Sequence, residues 1–436
     1  MKGLNRMMWA AALLAFALLV AACGGTSNET TTTTQPSGTT EATTTTAAME
    51  STTTAAMEST TTAAPSSEPF VFGMVLVGPK DDHGWSQANY EAGQYLVDKL
   101  GAQMIVRESI NTADSPETTV DQVIGDMVDQ GAQLVIATSD DMKDGVELAA
   151  EAHPDIPMIW TSGDSAWAEG QDYRADLPNL GNIMGKMIYG KMIAGCAAAL
   201  QSETGSIGYL GPLINDETRR LVSSVYLGAK YCWAQKGGDP ANLKFSVKWI
   251  GFWFEIPGVT LNPTDVVNEF FDGGADVVVS GIDTTQAVVR AGQRAAAGDK
   301  VWAIPYDYKG GCAEAQDICL GVPYFNWGPS YLDTANSVIN GTFSADFQWL
   351  APDWSDINNP DTSIVGWENG PGLTADNVDQ LNSFIAGLGD GSINLWSGPL
   401  NYQDGSPFLA DGETATDLQI WYLPQLLEGM EGASAQ

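Results

Sequence analysis

From Phe70 onward, short β-branched runs alternate with longer amphipathic segments, and the whole alternation occurs twice. That pattern constrains the fold more than any other feature, because buried parallel strands need helices over both faces of the sheet. In the first set, "FVFGMVLVG" reads as a buried strand and "SQANYEAGQYLVDKLG" as a helix, with Ser86 placed to cap it and Gly101 to end it. Strand "QMIVRES" follows, then a helix opening at "SPETTVDQVIGDMVDQG" with Ser115 as cap and Pro116 in its first turn. "QLVIATS" leads to a helix near Asp140, and "IPMIWTS" supplies a fourth strand.

After a polar crossing at "DYRADLPNLG" the pattern restarts with a long helical run, "NIMGKMIYGKMIAGCAAAL". Strands "GSIGYLG", "KFSVKWIGFWF" and "ADVVVSGID" then alternate with helices over 215–235, after Pro263, and over 284–297. "KVWAIPYD" gives a further strand, and helix "SYLDTANSVING" returns the chain to the first lobe. The fold class is therefore α/β, two Rossmann-like lobes with a ligand cleft between them. Residues 70–175 and 306–345 are assigned to lobe 1; 176–305 and 346–436 go to lobe 2 with an extended, turn-rich tail. In such sheets the ligand sits beyond the carboxyl ends of the strands. The strand ends here are "GPKDDHGW", "TSDD", "WTSGD", "GPLIND", "WFEIP", "SGIDTT" and "PYDYKGG", a set rich in Asp and Trp.

The first 69 residues have a different character. Lys2 and Arg6 precede the apolar run "MMWAAALLAFALLVAAC", which is too short, and too rich in small residues at its end, for an ordinary transmembrane helix. Residues 1–22 read as a signal peptide, and "LVAAC" resembles the bacterial lipobox, in which Cys23 would carry a lipid anchor. Residues 23–69 are Thr-rich, with "TTTAAMES" units, and offer almost no large apolar side chains to offset the entropy of ordering; a disordered tether is expected. Basic residues number 19 against 54 acidic ones, a formal net charge of -35 that opposes binding to nucleic-acid phosphates.

Four cysteines follow Cys23. In an exported protein they suggest two disulfides with three possible pairings, of which Cys312 with Cys319 and Cys196 with Cys232 is the expected one. Zinc is the weaker alternative, for no C-x-x-C or paired-His spacing is present. His83, in "DDHGW", has no second histidine near it in sequence and no nucleophile elbow, P-loop or dinucleotide turn accompanies it. No metal, cofactor or catalytic residue is expected, and His83 reads as a loop residue at the rim of the cleft.

The serial order of "DHGWSQANYEAG", "LVIATS", "GSIGYLGPLINDETRRLVSSVYLGA", "VKWIGFWFEIP", "GGADVVVSGIDTTQAVVRAG", "FNWGPSYLDTANSVINGT" and "SINLWSGPLNYQDGSPF" resembles the basic membrane protein family of bacterial lipoproteins. These are substrate-binding components of ABC importers and include purine nucleoside binders. The resemblance implies a type I periplasmic-binding-protein fold, hinge closure over a small solute, an ABC permease as partner, and a lipid-anchored place on the extracytoplasmic face of the cell membrane. It also implies a ligand site. Trp253 occupies or adjoins the position that packs on a base, with Trp85 and Trp327 as further aromatic candidates; Asp283 and Asp307 are the polar contacts, with Ser139, Asp140 and Asn326 beside them. A tryptophan in a chain with 14 of them can equally be core, and an Asp at a strand end can equally be a cap. The departures from the family are "TSDDMKDG", where an aromatic residue is usual, added residues around "EIPGVTLNPTD", and a longer tail. A sugar or signalling-molecule receptor on the same fold is the alternative, and a nucleoside hydrolase built on the clustered aspartates is the enzymatic one.

Overall fold

The computed structural model describes residues 68–435, which fall within one unit spanning residues 66–436. The expected signal peptide, the expected anchor at Cys23 and nearly all of the expected tether lie outside the described residues. The chain opens with β1 (Val71–Val75), α1 (Trp85–Leu100), β2 (Gln103–Arg107), α2 (Val120–Asp129), β3 (Leu134–Ala137), α3 (Lys143–Ala152), β4 (Met158–Thr161) and β5 (Leu180–Gly185). Next come α4 (Met187–Gln201), β6 (Ser206–Gly211), α5 (Asp216–Gln235), β7 (Lys244–Trp249), α6 (Pro263–Asp272), β8 (Val277–Ser280), α7 (Gln286–Ala296) and β9 (Trp302–Ile304). The remainder holds β10 (Gly321–Phe325), α8 (Gly328–Ile339), β11 (Phe347–Leu350), β12 (Val365–Asn369), α9 (Ala375–Gly389), β13 (Leu400–Asn401), β14 (Pro407–Leu409), α10 (Asp417–Trp421) and β15 (Met430–Glu431).

Two parallel sheets result, ordered β11-β5-β4-β3-β1-β2 and β15-β7-β6-β8-β9, with helices packed over them as expected for the α/β class. The central strands β1, β3, β4, β6 and β8 are buried almost throughout, which is why they read as continuous apolar runs rather than alternating ones. The antiparallel ribbon β10–β12 lies against α4, among the connections between the lobes. The disulfides are Cys196–Cys232, joining α4 to α5, and Cys312–Cys319, closing a short loop after β9.

Three local expectations change. Residues 180–185 belong to a strand, not to the helical run, and that strand sits in the lobe 1 sheet between β4 and β11. The lobe boundary drawn at 175/176 is therefore too early, and the chain crosses at Lys186; the return to lobe 1 drawn at 305/306 is also too early, because residues 311–318 still pack on α7 of lobe 2. A run buried on both faces, "LGNIMG", has no period to tell strand from helix. Likewise the tail is not all lobe 2: β11 forms the edge of the lobe 1 sheet, whereas α9 packs on α4 and β15 edges the lobe 2 sheet. Finally, the helix expected from Ser115 starts at Val120 after Thr119, leaving Pro116 in a turn.

The N-terminus of α1 is held differently from its expected form. Ser86 does not cap it; its Oγ accepts the Gly78 N–H at 2.9 Å. The Asp82 carboxylate takes the N–H groups of Gly84, Ser86 and Gln87, each at 2.9 Å. This folds "GPKDDHGW" into a compact turn over the end of β1 and sets Trp85 at the cleft.

The cleft between the lobes

The strand ends named above converge on the space between the two sheets. Lobe 1 contributes Trp85, Ser139, Asp140 and Ser162; lobe 2 contributes Tyr209, Glu217, Thr218, Leu221, Trp253, Gly281, Asp283 and Tyr306. They enclose a cavity with about 410 Å³ of empty space, its open mouth included.

The lobes are in contact around it. A Cβ on Gly84 would stand 1.6 Å from the Asp283 carbonyl oxygen, so only glycine allows that approach. On one flank Asn215 Nδ2 donates to Asp140 Oδ2 at 3.3 Å. On another His83 Nδ1 lies 2.6 Å from Glu314 Oε1, with His83 itself exposed and at φ 57°. These contacts hold the two lobes against one another around the cavity.

Of the residues expected at the site, the structure brings Trp85, Ser139, Asp140, Trp253 and Asp283 to the cavity. Trp85 is also core: its Nε1 donates to the Thr138 carbonyl, and its ring meets Phe325 and Trp327 edge-on at 5.4 and 5.5 Å. Trp253 is nearly buried, its Nε1 has no partner, and its carbonyl accepts the Asp283 N–H at 2.9 Å.

Three expected residues are not among the lining. Trp327 is fully buried behind Trp85, stacked on Phe325 at 4.4 Å. Asn326 ties down the 360–364 loop instead, donating from Nδ2 to the carbonyls of Pro360 and Ser363 at 3.1 and 2.7 Å. The sequence "FNWGPSY" places them at a strand end but does not show that β12 and its preceding loop cover it. Asp307 lies beneath the lining, fully buried at φ 69°, and neither carboxylate oxygen has a hydrogen-bond partner.

Beneath the cavity sits Lys191 of α4, fully buried. Its Nζ donates to the Ser280 carbonyl at 2.9 Å and lies 3.0 Å from the centre of the Tyr306 ring. Burial lowers its pKa to about 7 although Asp307, Glu217 and Asp283 oppose the fall. Burial likewise raises the carboxyls of Asp283 and Asp307, and each is pushed further by other carboxylates nearby, Asp82 and Glu217 among them. Glu217 is raised by burial against the pull of Arg220 and Lys191. Asp140 is raised to about 7 by desolvation, with Glu217 and Asp141 adding to it. The cavity thus offers carboxyl groups that take up protons readily, hydroxyls and aromatic faces, and no Lys, Arg or His is among the side chains lining it.

Sequence reading missed Ser162, Tyr209, Glu217, Thr218, Leu221 and Tyr306. A signal existed for most of them: Ser162 and Tyr306 lie in the strand ends "WTSGD" and "PYDYKGG", and Glu217 and Leu221 are four apart, on one face of the helix after "GPLIND".

Residues 70–343 match the family model described as ABC transporter substrate-binding protein PnrA-like. The chain belongs to that family. It is accordingly an ABC transporter substrate-binding protein, working outside the cytoplasm with a small-molecule ligand and a permease. A purine-binding protein of Brucella abortus is 27% identical over 81% of this chain and 90% of its own length. A Haloferax volcanii protein, named as a candidate ABC transporter glucose-binding protein, is 24% identical over 82% of this chain and 79% of its own. Among solved structures, an ABC solute-binding protein of Aeropyrum pernix covers 83% of this chain and all of its own at 12% identity, TM-score 0.60. One from Conexibacter woesei covers 74% of this chain and 97% of its own at 17% identity, TM-score 0.55. At such identities these structures bear on the fold. A second model, of the New glue protein family, matches residues 1–83, most of them outside the described residues. Among the described residues no helix is long and apolar enough to cross a membrane.

Two expectations follow for this substrate-binding protein. Gly84→Ala, which places a methyl group against the Asp283 carbonyl, holds the lobes apart; small-angle scattering should show a larger radius of gyration with ligand present, and affinity should fall at least tenfold, on the order of the 1.4 kcal/mol that factor represents. The second concerns Asp140. Its folded pKa of about 7 exceeds its ordinary 3.8, so over that window the folded chain holds a proton that the unfolded chain has lost. Its contribution to stability therefore falls as pH rises from 3.8 to about 7. Asp140→Asn should raise the unfolding free energy measured by urea titration at pH 8 by on the order of 1–3 kcal/mol, and the gain should vanish near pH 4.

Proposed function

We propose that this protein is a lipid-anchored receptor that closes over a purine nucleoside or nucleobase and delivers it to the permease, making and breaking no bond. The observation that carries the reading is the lining of the closed cavity, where Trp85, Trp253, Tyr209 and Tyr306 surround carboxyl groups of Asp140, Glu217 and Asp283. Aromatic faces hold a flat heterocycle with on the order of 1–3 kcal/mol per stacked base, and carboxyl groups accept from ring N–H and ribose hydroxyls. The lack of a cation among the lining side chains disfavours a phosphorylated ligand, hence a nucleotide. The relative named for purine binding, alike over most of both chains, supports the same choice. The unpartnered Trp253 Nε1, at the cavity wall, suits a ligand that completes it. A sugar is the second reading, because Trp and Asp also suit pyranose faces and hydroxyls, and the Haloferax relative is named for glucose.

Anchoring at Cys23, the signal peptide at 1–22 and the tether at 23–69 belong to the same proposal; their support is the lipobox-like "LVAAC" and the polar tract after it. Cys23→Ser should shift the protein from the membrane pellet to the soluble fraction of its native host, and continued pelleting would sink the anchor.

Ligand choice is tested by thermal shift with inosine, guanosine, adenosine, hypoxanthine and glucose. A purine compound should raise the melting temperature, because ligand bound only to the folded form stabilises it. Trp253→Ala should weaken that ligand by roughly ten- to a hundredfold, about 1–3 kcal/mol, with little change in stability without ligand. Trp85→Ala should cost both affinity and stability, since Trp85 also packs on Phe325 and Trp327. A shift with glucose and none with any purine compound refutes the purine reading. Release of free base from inosine would refute the claim that no bond is broken.

A further inference from the structure

The cleft cavity continues past its lobe 1 end. Asp140, Ser162 and Glu217 line both it and a second chamber, whose far wall includes Arg220, Trp421 and Tyr422. The last two lie in the tail, beyond the residues that match the family model. The tail is fastened at this point to both lobes. Tyr422 donates its hydroxyl to Asp164 and accepts the Gln171 N–H at 2.7 Å. Arg220 donates from Nη1 to the Trp421 carbonyl at 3.3 Å, and its guanidinium lies 4.1 Å from the Trp421 ring centre.

Two polar groups at this junction are incompletely used. Arg220 is 2% exposed, yet its Nη2 is buried without a partner. The nearest Glu217 oxygen stands 3.8 Å from that nitrogen, beyond hydrogen-bond range. Ser162, at φ 73°, has a buried Oγ with no partner. Unmatched buried polar groups are costly, and they persist where something else completes them.

We propose that Arg220, Glu217 and Ser162 form a recognition subsite for a neutral edge of the ligand on which an acceptor stands beside a donor. The acceptor takes the free Arg220 N–H, the donor goes to the Glu217 carboxylate, and the Ser162 hydroxyl serves either. An anionic group is disfavoured there, because Asp140, Asp164, Asp172 and Asp216 line the same chamber. Of its two cations, Lys143 is already bound to Asp172 at 2.8 Å. A cationic group would lie against the Arg220 charge. What fits is a lactam edge or a pair of neighbouring hydroxyls. By stacking on Arg220, the tail residue Trp421 positions the N–H that does the reading. The inference rests on the purine proposal only for its choice of probes.

Calorimetric titration of the full chain separates the cases. Inosine is compared with purine riboside, which lacks the 6-oxo group and N1–H, and with 2′,3′-dideoxyinosine, which lacks the neighbouring hydroxyls. The wild type should bind inosine at least about tenfold more tightly than one of the two analogues, as expected when a buried polar group is left unpaired. Arg220→Met and Glu217→Gln should each abolish that preference. A preference lost against purine riboside assigns the lactam edge; one lost against dideoxyinosine assigns the hydroxyl pair. Preferences unchanged in both variants overturn the subsite. Urea midpoints report whether the variants fold, and Glu217→Gln carries the test alone if Arg220→Met does not. If glucose binds and no purine probe does, the purine reading fails separately, and the variants are titrated with glucose and 2-deoxyglucose, where an unchanged ratio overturns the subsite. Binding of no probe overturns both proposals.

Discussion

All strands in each of the two large sheets run the same way, and nearly everything about the cleft depends on that. Parallel pairing sends the carboxyl ends of the strands to one edge of each sheet, and the crossover helices return the chain over the faces. When two such edges face each other, loops far apart in sequence become neighbours across a gap. The Gly84–Asp283 approach is the narrowest expression of this: a loop after the first strand of one lobe rests on the loop after the third strand of the other.

Electrostatics then gives the cleft its chemistry. A site with several carboxyls and a buried lysine beneath the floor cannot keep every group charged in a poorly solvated space. Lys191 and the carboxyls of Asp283, Asp307, Glu217 and Asp140 are all shifted toward their neutral forms. Neutral carboxyl groups donate as well as accept, so the cavity can match ligands whose donors and acceptors alternate around a ring. Closing lobes remove water from that arrangement and strengthen each of its hydrogen bonds.

The two-layered alternation of strand and helix was legible in the sequence because it rests on burial, which hydrophobic runs report directly. Trp85, Ser139, Asp140, Trp253 and Asp283 were found because they follow strands, and for Trp253 and Asp283 also because the resembled family places ligand contacts there. The same reasoning selected Trp327 and Asn326, which another segment covers, and no local signal reveals what a distant loop will bury. Glu217 and Arg220 were passed over for the converse reason. They sit inside a well-formed helix, where charged residues usually face solvent, and only the fold turns that face toward the cleft. The strand at 180–185 was hidden by its own burial.

Both sheets are finished by strands that arrive late in the chain. β11 lies alongside β5, and β15 alongside β7, after the chain has left each lobe and returned. Until residues near 350 and near 430 have been supplied, β5 and β7 are themselves the bare edges; afterwards the shorter β11 and β15 take that place, and short edge strands are poorer templates for pairing with other chains. Export through a membrane delivers a polypeptide from one end to the other, so the lobes must wait with open borders while the tail is still in transit. The final short strand is thus a guard against misassembly as much as a piece of the fold, and its few residues protect a sheet much larger than themselves.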